Sequence, residues 1–464
     1  MSRFLAVLLA SAALAGCTVG PDYKRPSTPG AANWVEAGMP GAVDLAWWNR
    51  FGDAQLSALV ARAVESSPDL AEAEARLAEA RANRDAVAGT RLPSVTAKGS
   101  ATENVLSRNG QLPIGQIPGF QREFRLFDGG FDTSWEIDLW GRQVRQGEAA
   151  AAREDAALFA RRDVMLSLIA EVARNYLDLR NAQAVVATTK ATAEADADLA
   201  RLTRLRFEAG EASRLDAETA EGAARASAAA VPDAEASATA AAYRIAMLVG
   251  STPEDVGTML RAPAPLPASP DEILVGVRSE LLERRPDVRR AERELVAATA
   301  DIGVATADLF PRFSLFGSLG QQARNPGDLF SADSTRLQIG PSISWPIFSG
   351  GTIRAQIRAA DARGQGAAAR YEKAVLGALS DSETAINRFL NARIAAQEAG
   401  AALQRERAAF ALVEQRVASG EDDRLALARG RKAVLVAERR ENDASTRKAQ
   451  AAVALFKALG GGWG

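Results

Sequence analysis

The sequence contains no histidine and a single cysteine among its 464 residues. Without His, the commonest general base and the commonest transition-metal ligand are both missing. With one Cys, no disulfide can form within the chain. No Gly-x-Ser-x-Gly elbow, Gly-rich phosphate loop or metal-spaced ligand cluster takes their place, so an enzyme is the poorest reading and no metal or organic cofactor is expected. A net charge of −2 gives no electrostatic reason to expect a nucleic acid. The apolar run at the start, Phe4 to Ala15, is too short to cross a bilayer as a helix.

What the chain does have is length organised by repetition. In the stretch from Gly141 to Gly250, Leu158, Met165, Val172 and Leu179 recur every seven residues, and Leu168, Ile169 and Tyr176 fill the offset positions. That spacing lays an apolar stripe along one side of a helix. No Pro interrupts Arg142 to Arg206, so the helix would be about 100 Å long, far beyond what a compact domain needs. A break at Phe207 to Glu211 follows, with Gly210 as a left-handed C-cap, then Ser213 as N-cap with Asp216 three residues on. The chain therefore turns back as an antiparallel helical hairpin. The return arm is rich in Ala (Ala217, Ala220, Ala223, Ala224, Ala228), whose small side chains let helices approach closely, and Pro232 is expected to kink it.

This hairpin occurs twice. Phe207 to Asp216 is matched by Val417 to Ala426, with Gly210 and Gly420, Glu211 and Glu421, and Arg214 and Arg424 in register. The same step of 210 residues relates Trp135 to Trp345, Gly141 to Gly351 and Gly250 to Gly460, while Pro68 and Pro93 reappear at Pro286 and Pro311 after a step of 218. A tandem duplication of about 190 residues thus covers most of the chain, with a gap difference inside each copy.

After Pro93 the period changes from helical to alternating. Val95, Ala97, Gly99 and Ala101 alternate with polar residues, and Phe131, Thr133, Trp135, Ile137 and Leu139 do so after a loop. The second copy repeats the pair with Phe313, Leu315, Gly317 and Leu319, then Leu337, Ile339, Pro341, Ile343, Trp345 and Ile347. Segments of about ten residues with one apolar face are the signature of membrane-barrel strands, although an edge sheet of a soluble domain alternates in the same way. Trp135, Trp140, Trp345 and Phe348 near one end favour the barrel, as an interfacial aromatic girdle. Phe131, Trp135, Ile137, Phe313, Leu315, Ile339, Ile343 and Trp345 would then face lipid. Four strands cannot close in a bilayer, so copies of the chain must share one barrel; strand number alone leaves two, three or four copies open.

At the N-terminus, Arg3 and the apolar run read as an export signal. Leu14-Ala15-Gly16-Cys17 resembles the bacterial lipoprotein signal, which makes Cys17 the lipidated first residue of the mature chain. Thr18, where an inner-membrane lipoprotein generally carries Asp, points to the outer membrane. Beyond it, Val19 to Pro26, the Trp47-Trp48 pair, Ser134 to Arg142, Leu281 to Asp287 and Gly340 to Phe348 together resemble the TolC-like outer-membrane efflux proteins, in their lipoprotein branch. The resemblance spans essentially the whole mature chain.

It implies a mainly α fold with membrane β: long antiparallel helical hairpins plus four strands, contributing to a trimeric twelve-stranded β-barrel and an α-helical barrel. The expected division is a signal peptide at 1–16, a lipid-anchored segment and collar at 17–66, the first repeat at 67–250, a linker at 251–285, the second repeat at 286–460 and a tail at 461–464. The implied function is that of a passive homotrimeric conduit in the outer membrane, expelling drugs or other small solutes and docking on a periplasmic adaptor and an inner-membrane pump. The hairpin tips, Gly210, Glu211, Arg214, Gly420, Glu421 and Arg424, would meet the adaptor. Asp216, Asp422, Asp423 and Arg429 are the candidates for the constriction, with Arg214 and Arg424 expected to pair with tip carboxylates of a neighbouring copy. A lipid-anchored periplasmic spacer without a pore is the alternative, and it leaves the alternating strands without a role.

Overall fold

A computed structural model describes residues 18–27, 34–36, 41–107 and 121–463. The export signal and Cys17 lie outside the described residues. After a short 3₁₀ turn at Trp47–Phe51 the elements are α1 (Ala54–Ser66), α2 (Pro68–Gly89), β1 (Ser94–Val105), β2 (Glu123–Ile137), α3 (Arg142–Glu208), α4 (Arg214–Leu248), α5 (Pro253–Leu260), α6 (Arg278–Arg284), α7 (Pro286–Ala307), β3 (Arg312–Ala323), β4 (Thr335–Ser344), α8 (Thr352–Ala418) and α9 (Arg424–Ala458). Among the described residues no helix is long and apolar enough to cross a membrane.

The duplication holds element by element. Helices α3 and α8 each have 67 residues and α4 and α9 each have 35. The pairs α2 with α7 and β1 with β3 also match in length. Helix α4 runs through Pro232 without interruption.

The chain divides into two compact units, each assembled from both repeats. One takes residues up to 26, 78–156 and 291–371; the other takes 27–77, 157–290 and 372–464. The first contains a four-stranded antiparallel sheet in the order β1-β2-β3-β4, so the hairpin of one repeat pairs directly with that of the other through β2 and β3. Strand β2 ends at Ile137 and β4 at Ser344, so Leu139, Trp345 and Ile347 stand beyond the strands that the alternation assigned to them.

The second unit has the aromatic core. Trp47 is fully buried, lies flat on Phe456 with ring centroids 5.2 Å apart, and donates its indole N–H to the Gly461 carbonyl at 3.2 Å. The C-terminal tail is irregular, as its glycines require, yet it is packed: Gly461 and Gly462 are buried and the Arg162 guanidinium sits 4.5 Å from the centroid of the Trp463 ring. Arg180, also buried, donates to the Ala262 carbonyl and to Gln183, fastening the linker to α3. Burial raises the Tyr176 phenol to about 12, so it stays protonated and donates to Asp53 at 2.8 Å.

Candidate functional site

The strand register puts the sequence-predicted residues on one face. Ile137, Trp135, Thr133 and Phe131 of β2 stand opposite Phe313, Leu315, Gly317 and Leu319 of β3, which stand opposite Ile343, Pro341, Ile339 and Leu337 of β4. Because side chains alternate along a strand, these residues share a side, and Val95, Ala97 and Ala101 extend it across β1. It is bare: Phe131 is 59% exposed, Leu319 53%, Leu337 72%, Ile339 71% and Ile343 65%. An exposed apolar surface continuous over four strands has no place in water and marks a contact with lipid or protein.

At one end of this face Trp135 donates to the Arg91 carbonyl at 2.9 Å and Trp345 donates to the Leu309 carbonyl at 3.1 Å, an anchor repeated in both copies. Trp345 stands in this aromatic end group one residue past the end of β4, whereas Trp135 is still paired in β2. Trp140, expected beside it, is instead stacked on Phe310 at 4.7 Å and donates to the Pro311 carbonyl.

The opposite face is polar and linked across all four strands. Lys98 on β1 pairs with Asp132 on β2 at 2.8 Å, Ser318 on β3 donates to Asp132 at 2.7 Å, and Arg336 on β4 donates to Ser318. Arg336 also reaches past β3 to hold Asp128 on β2 through two N–H groups, at 3.0 and 2.7 Å. Gly320 makes room for that reach, since a Cβ there would lie 3.3 Å from the Arg336 guanidinium and 2.6 Å from the Gly129 carbonyl oxygen.

The segment following Cys17 is fixed to the same unit. Val19 N–H donates to the Trp140 carbonyl at 3.1 Å, and Arg145 donates to the Val19 carbonyl at 3.3 Å and to Asp22 at 2.6 Å. Tyr23 donates to Glu292 at 3.2 Å, and burial beside that carboxylate pushes its phenol to about 12.

In the second unit the hairpin tips close as expected. Gly210 and Gly420 take φ of 77° and 80°, and the next N–H, of Glu211 and Glu421, bonds back to the carbonyls of Arg206 and Arg416. Ser213 and Asp216 form a complete capping box, and those hydrogen bonds hold the Asp216 carboxyl below the usual range. Asp423 caps α9 through the Ala426 N–H at 2.8 Å.

Within the chain, three of the tip carboxylates pair with Arg206 and Arg416, whereas the pairing expected of Arg214 and Arg424 is with a neighbouring copy. Arg206 pairs with Asp423 of the other hairpin at 3.2 Å and with Glu211 at 3.7 Å, and Arg416 grips Asp422 at 2.6 Å. Arg214 is occupied by Glu218 on its own helix, while Arg424 and Arg429 are exposed. The signal that could have found Arg206 and Arg416 was present: both stand four residues before the turn glycine and are related by the step of 210.

Above the tips, α3 and α9 are joined by polar rungs. Asp178 accepts from Gln450 at 2.5 Å, Asn181 from Asn442 at 2.5 Å and Asp196 from Lys432 at 2.6 Å, with Arg206 and Asp423 as the last rung. Asp196 is buried and also accepts from Ser227 of α4. Periodicity gave no hint of these residues, because they interrupt apolar stripes rather than form one.

Known proteins place this geometry. The sequence pattern of the family described as "Outer membrane efflux protein" matches residues 59–251 and 277–461, one span for each repeat. The chain is similar to outer membrane protein OprJ of Pseudomonas aeruginosa, at 31% identity over 99% of this chain and 96% of that protein. It is also similar to the pyoverdine export outer membrane protein OpmQ of the same species, at 30% identity over 97% and 94%. Among solved structures, the outer-membrane channel OprN superposes with a TM-score of 0.84 at 37% identity, covering 96% of this chain and all of that one.

Proposed function

Because this chain belongs to the outer membrane efflux protein family, and so is an outer-membrane channel component of efflux systems and not an enzyme, we propose that three copies close one twelve-stranded barrel and form a passive conduit for small solutes. The observation that carries this reading is the sheet: it has two free edges, β1 and β4, and one bare apolar face. In lipid every backbone polar group must be paired, so an open four-stranded sheet is excluded and closure with further copies satisfies both edges. The apolar face then meets the acyl chains, and the face with Lys98, Asp128, Asp132 and Arg336 lines water. A periplasmic spacer without a pore would leave the apolar face uncovered in water.

Lipidation of Cys17 is part of the proposal. The segment after it is tied down near Trp140, in the same unit as the sheet, which suits an acyl anchor entering the leaflet beside the aromatic end. The tips at Gly210 and Gly420 are the docking points for a periplasmic adaptor and the inner-membrane pump behind it. Docking opens the mouth, where Asp216, Asp422, Asp423 and Arg429 contribute the charge. Support comes from the tip pairs, which are exposed and individually weak, about 0–1 kcal/mol each, so a docking partner can replace them.

The test is the native mass of protein extracted in detergent from the outer-membrane fraction. Three chains per particle, with conductance steps in a planar bilayer, is the expected result. A monomer would overturn the shared barrel.

A further inference from the structure

The two halves of the duplication have diverged in charge. Helices α4 and α9 are equivalent and have 35 residues each, yet α9 carries nine basic and three acidic residues where α4 carries three and five. Three of the added cations stand in line. Arg440 and Arg447 follow Arg429 by 11 and 18 residues, close to three and to five full turns, so all three share one side of α9 over about 27 Å. Their equivalents on α4 are Thr219, Ala230 and Ser237. All three arginines are exposed, and among the described residues none of them makes an ion pair.

The other sides of α9 are taken. Lys432, Asn442 and Gln450 hold one flank to α3. On the other flank Gly430 packs so closely on α8 that a Cβ would lie 2.9 Å from the Phe410 ring, and Glu438 pairs with Arg407 at 2.8 Å. Phe456, nine residues and therefore two and a half turns from Arg447, points the opposite way, where it stacks on Trp47. Both flanks are filled from within the chain, so a further copy finds neither of them free. A conduit walled by these helices must carry the Trp47 collar on its outside, since three collars within would fill the bore. The remaining face of α9 then lines the passage.

We propose that Arg429, Arg440 and Arg447 form a basic track along the wall of the passage and that the solutes it serves are small anions. The inference rests on the conduit reading and names its solute class. Asp443 stands on the same side between Arg440 and Arg447, which leaves the track a surplus of two positive charges per copy. A line of like charges beside low-dielectric walls concentrates ions of the opposite sign and turns back those of its own. Successive arginines are about 10 and 16 Å apart along the axis, within about two Debye lengths at physiological salt, so the field of one overlaps that of the next. The track belongs to the second copy alone, since α4 has a hydroxyl, a methyl and a hydroxyl at the three positions.

The test is the reversal potential of single channels of the full-length protein in a planar bilayer under a potassium chloride gradient. Chloride is expected to be more permeant than potassium, and the preference should shrink as salt approaches 1 M, where the Debye length falls to about 3 Å. A variant with Arg429→Gln, Arg440→Gln and Arg447→Gln together should keep the native mass, because all three side chains are exposed, and its reversal potential should shift toward that of potassium. The same three positions changed to Lys should keep the wild-type value. A wild-type chloride-to-potassium ratio of one or less overturns the solute class. A chloride preference that the three Gln substitutions leave unchanged overturns the placement of the track. A particle of one chain, or a particle of three chains without conductance steps, instead removes the conduit reading itself.

Discussion

Replacing Ile339 by Arg tests the assignment of the sheet faces. Ile339 is the fifth of the ten residues of β4 and is 71% exposed on the apolar face, opposite Gly317. At about 3.4 Å per residue and a tilt near 45°, ten residues rise roughly 24 Å, close to the ~25 Å apolar band of a membrane barrel. Ile339 therefore falls near the midplane, where an Arg on the lipid face costs about 2–4 kcal/mol, or roughly 6–12 kcal/mol in an assembly that carries it three times. Two comparisons sharpen the expectation. Ile343 lies near the end of the strand on the same face, and there the cost falls to about 0–1 kcal/mol per copy. Ile137, as the last residue of β2, belongs with Ile343 rather than with Ile339. Gln338 adjoins Ile339 but points to the polar face, opposite Ser318, so Gln338→Arg should cost little. The assay is the yield of assembled trimer in the outer-membrane fraction, followed by unfolding in urea with lipid vesicles present. Near-complete loss for Ile339→Arg beside near-normal yield for Gln338→Arg and Ile343→Arg is the expected pattern. Equal yields for Ile339→Arg and Gln338→Arg would refute the face assignment, and equal losses at Ile339 and Ile343 would refute the depth.

Trp47→Ala should destabilise the unit that contains it by about 3–5 kcal/mol, through loss of the stack on Phe456 and an orphaned Gly461 carbonyl, read as a lower midpoint in denaturant. Burial, with Asp287 nearby, raises the Asp163 carboxyl above the usual range. The folded chain therefore takes up this proton before the unfolded chain does. Stability should rise as pH falls from neutral through that raised value, and Asp163→Asn should stabilise at neutral pH and flatten the acid-side rise in a thermal-midpoint series. Arg206→Ala removes a pair whose partners are 42% and 58% exposed, so its loss should change stability by no more than about 1 kcal/mol and show mainly as more frequent opening at low salt. A large drop in trimer yield from Arg206→Ala would mean that the tip pair is structural.

How much of this was legible in the sequence depended on whether the information was periodic or pairwise. The long helices, their turn at Gly210 and Gly420, and the apolar face through Phe131 to Ile343 were legible because each is written as a period or a local cap, and a duplicated chain writes it twice. The strand ends were less so: Trp345 continues the alternation of β4, but pairing stops at Ser344 opposite Arg312, where Pro311 on one side and Pro346 on the other have no N–H to extend the ladder. The rungs Asp178, Asn181 and Asp196 and the cross-strand set Lys98, Asp128 and Arg336 were illegible, since a polar residue on a helix or strand shows no sign of which residue of another element it will meet, and all but Lys98 have partners 208 to 272 residues away. Comparing the repeats recovers part of that loss. Duplication keeps what both copies need in order to fold, and the departures from it mark what only one copy does. Arg336 stands where the first copy has Leu126, and Asp132 where the second has Ser342, so the polar network of the sheet joins unlike halves. The same reasoning separates α9 from α4: Lys432 and Asn442 on α9 stand where α4 has Gly222 and Pro232, so at these levels only α9 can offer α3 a polar side chain.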